Sequence, residues 1–386
     1  MSSADAGRSD PVLAAVTELA ERLRTRGAEI EQAGRLPVDV VAELRQAGVF
    51  KLWMPRELGG LEAGPAVVLQ ALQILSAADG STGWCAATGL ASNSVGGFVP
   101  EAGARQLYRT GLELAGGALM PGGRAVLQPD GSYLVEGQWS FGSGVQHCDW
   151  VVGGAVVAGG SGSGPPAVRA VVMPASQVEF LDNWVVAGLQ GTASVDYRAA
   201  GIRVPAEHTL ALDRITPWPA GPMWRIPLMS LIFPVLAAVP LGLARRAVSE
   251  LSELAAAKTP FRSGRLLAER EVLQADVARA TALIEAGHHY LLASMQALWQ
   301  AGAAGTAPSV RQRAHARLAA VHATAGAAEA VLLCYRSAGS TALYRSNPLQ
   351  RLLRDVNAAT QHYGISAAGY DMAGRALLGM EPDPGL

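Results

Sequence analysis

Apolar residues recur at helical spacing near the start of the chain. Val12, Val16, Leu19 and Leu23 share one face, and Leu69, Leu72 and Leu75 share another after Pro65. Leu36-Pro37 predicts a further helix start, because proline is tolerated in the first turn, and Gly80 predicts the end of the helix opened by Pro65. From Ala115 to about Pro222 the period shortens to that of strands. Tyr133 to Trp139, Trp150 to Val152 and Ala167 to Val172 are rich in β-branched and aromatic residues. The first of these follows a turn at 127–132, and the Gly/Ser/Pro run 159–166 predicts a flexible divider before the last. Beyond Pro222 the helical period returns, most clearly at Leu273, Val277, Ala280, Ile284, Leu291, Met295 and Leu298. Gly302, Gly305 and Pro308 break it, a second long helix follows from Ser309 to about Ser337, and a third runs from Leu349 onward. The chain therefore reads as mainly α with an inserted β domain: helices in 1–114, strands in 115–222, and a helical bundle with alanine-rich, closely packing faces in 223–386.

Composition narrows the class. A chain of 386 residues, 50% hydrophobic and 16% charged, can bury a large core. A net charge of -1 supplies no field for a polyanion, so nucleic-acid binding is not expected. The first ten residues lack the apolar core of a secretory signal, and the apolar stretch Ile226 to Ala244 is broken by Pro227, Pro234 and Pro240, which fits a buried kinked helix better than a membrane span. Cys85, Cys148 and Cys334 have no metal-ligand spacing and suit a reducing cytoplasm, so no metal is expected. Neither Gly-x-Gly-x-x-Gly nor a P-loop occurs, which leaves no evident means of binding NAD(P)H.

Chemistry concentrates in two places. Trp139-Ser140-Phe141-Gly142-Ser143-Gly144 ends a strand in small residues and the hydroxyl of Ser143, where a flat aromatic cofactor could lie; a plain loop is the competing reading. His362 is expected on the last helix, seven residues from Asp355 and so on roughly its face, as a catalytic base or acid; a satisfied histidine inside a bundle is the other reading. Trp84 could wall a pocket, or simply be core.

The Trp-x-x-x-Ser-Gly segment resembles the flavin-contacting strand of the acyl-CoA dehydrogenase fold, and especially of the flavin-dependent monooxygenases built on it. Segments 51–60, 117–123, 188–194 and 348–355 are similar in the same order, so the resemblance spans nearly the whole chain. It implies an N-terminal helical domain, a central β-barrel-like domain and a C-terminal four-helix bundle. It also implies reduced FAD or FMN delivered by a separate reductase, and O2 used on an aromatic substrate such as an indole, phenol or polyketide. Ser143 and His362 become the catalytic pair, with Trp139, Phe141, Gly144, Met120 and Arg262 toward the flavin and Trp84 and Tyr363 toward the substrate. Met120 is placed in a loop, while Lys258, Arg262 and Arg265 lie near the family's flavin-phosphate contacts, although its Arg-x-x-Phe-Gly is not kept. Relatives imply a dimer or tetramer. The dehydrogenases' catalytic glutamate has no counterpart, since no carboxylate stands between Asp355 and Asp371. An acyl-CoA dehydrogenase with its base elsewhere, or an N-oxygenase of an amino sugar, are the alternatives.

Overall fold

The computed structural model describes residues 3–158, 166–383 and 385–386, with side chains from Pro11 onward; all of the expected divider 159–166 except its last residue lies outside the described residues. Helices α1 (Ser3–Leu23), α2 (Gly27–Ala33), α3 (Val38–Gln46), α4 (Pro65–Ala78), α5 (Gly80–Asn93) and α6 (Glu101–Leu107) form the first layer. Gly80 does not end α4; it opens α5. The break is Asp79, whose extended backbone stops one helix while its carboxylate caps the next, accepting from the Thr82 amide at 2.7 Å and the Thr82 hydroxyl at 2.8 Å.

Seven strands follow: β1 (Ala115–Leu127), β2 (Tyr133–Gly142), β3 (Trp150–Ala158), β4 (Val168–Pro174), β5 (Glu179–Phe180), β6 (Val195–Val204) and β7 (Thr209–Ala211). They pair in the order β5-β6-β2-β1-β3-β4-β7, antiparallel except for the parallel β1 and β3. The sheet curls until β4 and β6 pack across its own core, which holds Tyr133, Val135, Trp139, Val151, Val171 and Tyr197.

The rest is helical: α7 (Leu228–Leu236), α8 (Ala238–Ala257), α9 (Glu271–Ala303), α10 (Val310–Ala338), α11 (Pro348–Ala359) and α12 (Ala368–Leu377). A capping box between Ser309 and Gln312 starts α10. Small residues let α9 and α10 approach closely: a Cβ on Gly287 would stand 2.9 Å from the Ala323 Cα. The apolar stretch around Pro234 and Pro240 is α7 and the start of α8. Although α7–α8 and α10 are long and apolar enough to cross a membrane, most of the first apolar window and over half of the second are buried inside the protein. The bundle is tied to the β module at one loop, where Asp355 of α11 accepts from the Leu189 amide at 2.7 Å and Arg354 donates to the Ala187 carbonyl at 2.7 Å.

Candidate active site

Strand β2 ends in a turn that only particular backbones can make. Phe141 has φ of 64° and Gly144 φ of 66°, both left-handed, and the Gly144 amide donates to the Thr192 carbonyl at 2.9 Å. Between them Ser143 is presented to Trp84 of α5, whose indole N–H donates to its Oγ at 3.0 Å. The same oxygen lies 2.8 Å from Ser194 Oγ, which lies 2.7 Å from Thr192 Oγ1, and Thr192 donates in turn to the Leu189 carbonyl at 2.8 Å. The loop carrying this chain is itself strained, with φ of 52° at Leu189 and 42° at Ala193. Asp355 holds it through the Leu189 amide.

His362 is not on the helix. Helix α11 stops at Ala359, and His362 sits in the following turn, donating its backbone N–H to the Ala359 carbonyl at 3.2 Å. Its ring meets Trp84 edge-on at 5.4 Å and Phe233 at 6.4 Å. Nδ1 accepts from the Gly364 amide at 3.0 Å, so the neutral imidazole carries its proton on Nε2 and offers an N–H donor. Burial, and then the nearby Arg317 guanidinium, push its pKa down to about 4. Arg317 of α10 is 3% exposed, stacks on Phe233 at 4.8 Å and on Tyr363 at 5.3 Å, and donates to the Tyr363 carbonyl at 2.7 Å. Trp84 thus joins the imidazole from the bundle to the hydroxyl from the β module. Because α11 ends at Ala359, His362 does not share the expected helical face with Asp355; Asp355 serves the Leu189 loop instead.

The other expected residues divide. Trp139 is core: it is 2% exposed, stacks on Tyr197 at 5.4 Å, donates to the Gly154 carbonyl at 2.7 Å, and lies against Gly122, Gly123 and Gly153 on β1 and β3. Its ring has no open face, so the expectation that it packs on a cofactor fails. Phe141 is turned outward by its left-handed backbone and is 73% exposed beside Trp184. Met120 is also 73% exposed, in β1 rather than a loop, where register shifts flank Pro121. Met120, Phe141 and Val185 are thus exposed apolar side chains, a kind of surface that suits a flat ring. Tyr363 is half-exposed beside His362. Arg262 stands exposed on the loop after α8, over Phe261, and among the described residues no contact joins it to Ser143 or His362. Lys258 is committed to the end of α10, donating to the Ala338 carbonyl and to Thr341. Among the described residues no group of three or more His, Cys, Asp or Glu could hold a metal ion. A separate cleft of about 420 Å³ is lined by Gln73, Arg245 and His288, which already bond to one another or to Glu285.

Sequence reasoning missed Ser194, Thr192, Arg317 and Phe233. The first two stand in the 188–194 segment, whose run of hydroxyls was visible. Arg317 is one of four arginines on alanine-rich α10, and its burial, which singles it out, is set by packing.

Residues 12–107 match the family profile "Acyl-CoA dehydrogenase, N-terminal domain", and residues 234–367 match "Acyl-CoA dehydrogenase, C-terminal domain". The chain is 31% identical over 366 residues to an indole-3-acetate monooxygenase of Acinetobacter baumannii, covering 94% of this chain and 93% of that protein. It is also 31% identical over 392 residues to the oxygenase component of an FADH(2)-dependent resorcinol hydroxylase of a Rhizobium species, covering 95% and 94%. Its fold matches the crystal structure of the HsaA monooxygenase from M. tuberculosis with a TM-score of 0.89 at 26% identity, over 98% of this chain and 100% of that one.

Proposed function

This chain belongs to the acyl-CoA dehydrogenase family, on its branch of flavin-dependent monooxygenases, and from that premise we propose that it is the oxygenase component of a two-component system. It takes reduced FAD or FMN from a separate reductase and uses O2 to hydroxylate an aromatic small molecule, in a cytoplasmic dimer or tetramer assembled through the helical bundle.

The observation that carries this reading is the contact of His362 and Ser143 through a single indole, Trp84, across the seam between bundle and β module. Ser143 and Gly144, with Met120 and Phe141 at the exposed rim, would hold the flavin ring; when bound, the flavin supplies the electrons that activate O2. Trp84 and Tyr363 line the substrate side. His362 presents Nε2–H to a ring oxygen or nitrogen of the substrate and orients it, and a neutral imidazole serves as such a donor at neutral pH. Trp84 and Phe233 close the site around that imidazole against water. Ring hydroxylation is favoured over N-oxygenation of an amino sugar by the curated relatives, whose names specify indole-3-acetate and resorcinol. The dehydrogenase reading is disfavoured because the turn after α11 carries an imidazole and no carboxylate.

The test supplies the purified protein with a flavin reductase, NADH and ¹⁸O2, and screens indoles and phenols for products that gain one labelled oxygen atom. Label in none of them, together with bleaching of bound oxidised flavin by acyl-CoA under anaerobic conditions, would establish the dehydrogenase instead.

A further inference from the structure

Three hydroxyls, Ser143, Ser194 and Thr192, form one hydrogen-bonded line, and each has a single proton to give. The line ends on the Leu189 carbonyl, which can only accept. If every bond in it is made, Thr192 donates to Leu189, Ser194 donates to Thr192, and Ser143 donates to Ser194. At the other end Trp84 Nε1 can only donate, and it gives its hydrogen to Ser143. Ser143 has then spent its proton inward and one lone pair on Trp84, so one lone pair is left. Thr192 is 0% and Ser194 4% exposed, whereas Ser143 is partly open, so the end of the line that reaches the cleft is an acceptor.

We propose that this line makes Ser143 a redox-state selector for the flavin. The reduced ring carries a hydrogen on N5 and can donate to Ser143; the oxidised ring has a lone pair there and cannot. Reversing the line, so that Ser143 donates outward, sacrifices the short Thr192 to Leu189 bond. The Leu189 carbonyl keeps its bonds from the Thr192 amide at 3.1 Å and Trp184 Nε1 at 3.2 Å, so the cost is one buried hydrogen bond, a factor of roughly five to ten in affinity. The consequence suits an enzyme that must capture reduced flavin from a reductase and release it once oxidised. The inference rests on the flavin reading above and adds Ser194 and Thr192 to it as positioning residues.

Anaerobic titration gives the dissociation constants of reduced and of oxidised flavin for the wild-type protein and four variants. Ser194→Ala frees the Ser143 proton and should shift the reduced-to-oxidised preference toward the oxidised ring by roughly fivefold. Thr192→Val leaves Ser194 no acceptor but Ser143, which turns the line around, and should shift the preference further, by roughly tenfold. Thr192→Ser keeps the hydroxyl and should restore the wild-type ratio. Ser143→Ala, on the partly open end, should weaken the reduced form alone. Should Thr192→Val fail to fold, Ser194→Ala and Ser143→Ala decide. An unchanged ratio in folded Ser194→Ala and Thr192→Val overturns the selector while leaving the flavin reading intact. A wild-type protein that binds neither ring overturns both.

Discussion

Replacing Asp355 by Asn should flatten the protein's stability against pH. Asp355 is 3% exposed, and one of its oxygens accepts from the Leu189 amide at 2.7 Å. Burial dominates its titration and lifts its pKa to about 7; the Leu189 bond and the Arg351 and Arg354 charges oppose that rise, while Asp79 adds to it. An acid whose pKa is higher in the folded state binds more protons folded than unfolded between its two pKa values. Its stabilising contribution is therefore complete below the unfolded value of 3.8 and is lost as pH rises through about 7. The shift of about three units, at about 1.4 kcal/mol each, makes the full loss about 4 kcal/mol, of which about 3 falls between pH 5 and pH 8. Asn keeps a carbonyl for the Leu189 amide and cannot ionise. Its unpaired NH2 adds a cost of about 1–3 kcal/mol that is the same at every pH. Urea unfolding of both proteins across this range gives the difference curve, which removes the opposite contribution of His362 and His147, both pushed down to about 4 mainly by burial and so adding stability from about pH 4 up to 6.5. The expected outcome is a wild-type advantage that shrinks by about 3 kcal/mol from pH 5 to pH 8. A constant difference would refute the reasoning and mean that Asp355 ionises in the folded protein as it does in the unfolded chain.

Other measurements probe the site itself. His362→Ala should lower product formation by about 10²–10⁴-fold while the oxidation of reduced flavin continues; equal loss of both would mean that the imidazole serves the flavin and not the substrate. Because burial holds the His362 pKa near 4, turnover should not show an acid limb centred near 6.5, and loss of activity at that pH in a protein still folded would contradict a neutral imidazole. Gly144→Ala forces a Cβ onto a left-handed residue with φ of 66° and should cost about 1–2 kcal/mol, read by urea unfolding, with weaker flavin binding as Ser143 shifts.

Where sequence reasoning succeeded and where it stopped follow the range of the interactions involved. The helical repeat at Leu273 to Leu298 predicts α9, and the alternation at Tyr133 to Trp139 predicts β2, because both periods are properties of adjacent residues. The end of α11 is not legible because Ala358-Ala359-Thr360 carries no stop signal; the turn after it closes through the Gln361 amide to the Ala358 carbonyl and the His362 amide to the Ala359 carbonyl. Gly80 reads as a terminator only if Asp79 is overlooked, since Asp79 with Thr82 three residues on is a helix-start signal. Trp139 and Phe141 lie two residues apart and should share a face; one left-handed residue sends the first into the core and the second outward.

By itself the sequence determined the order of helices and strands, the absence of a carboxylate between Asp355 and Asp371, and the residue types available for chemistry, since these depend on local period and composition. The tertiary structure alone decided which of them meet. Trp84 and Ser143 are 59 positions apart and Asp355 and Leu189 166, and only the packing of bundle against sheet brings them within hydrogen-bond reach. It also decided which way the protons point, because the direction of a hydroxyl chain and the tautomer of an imidazole are set by the partners at its ends.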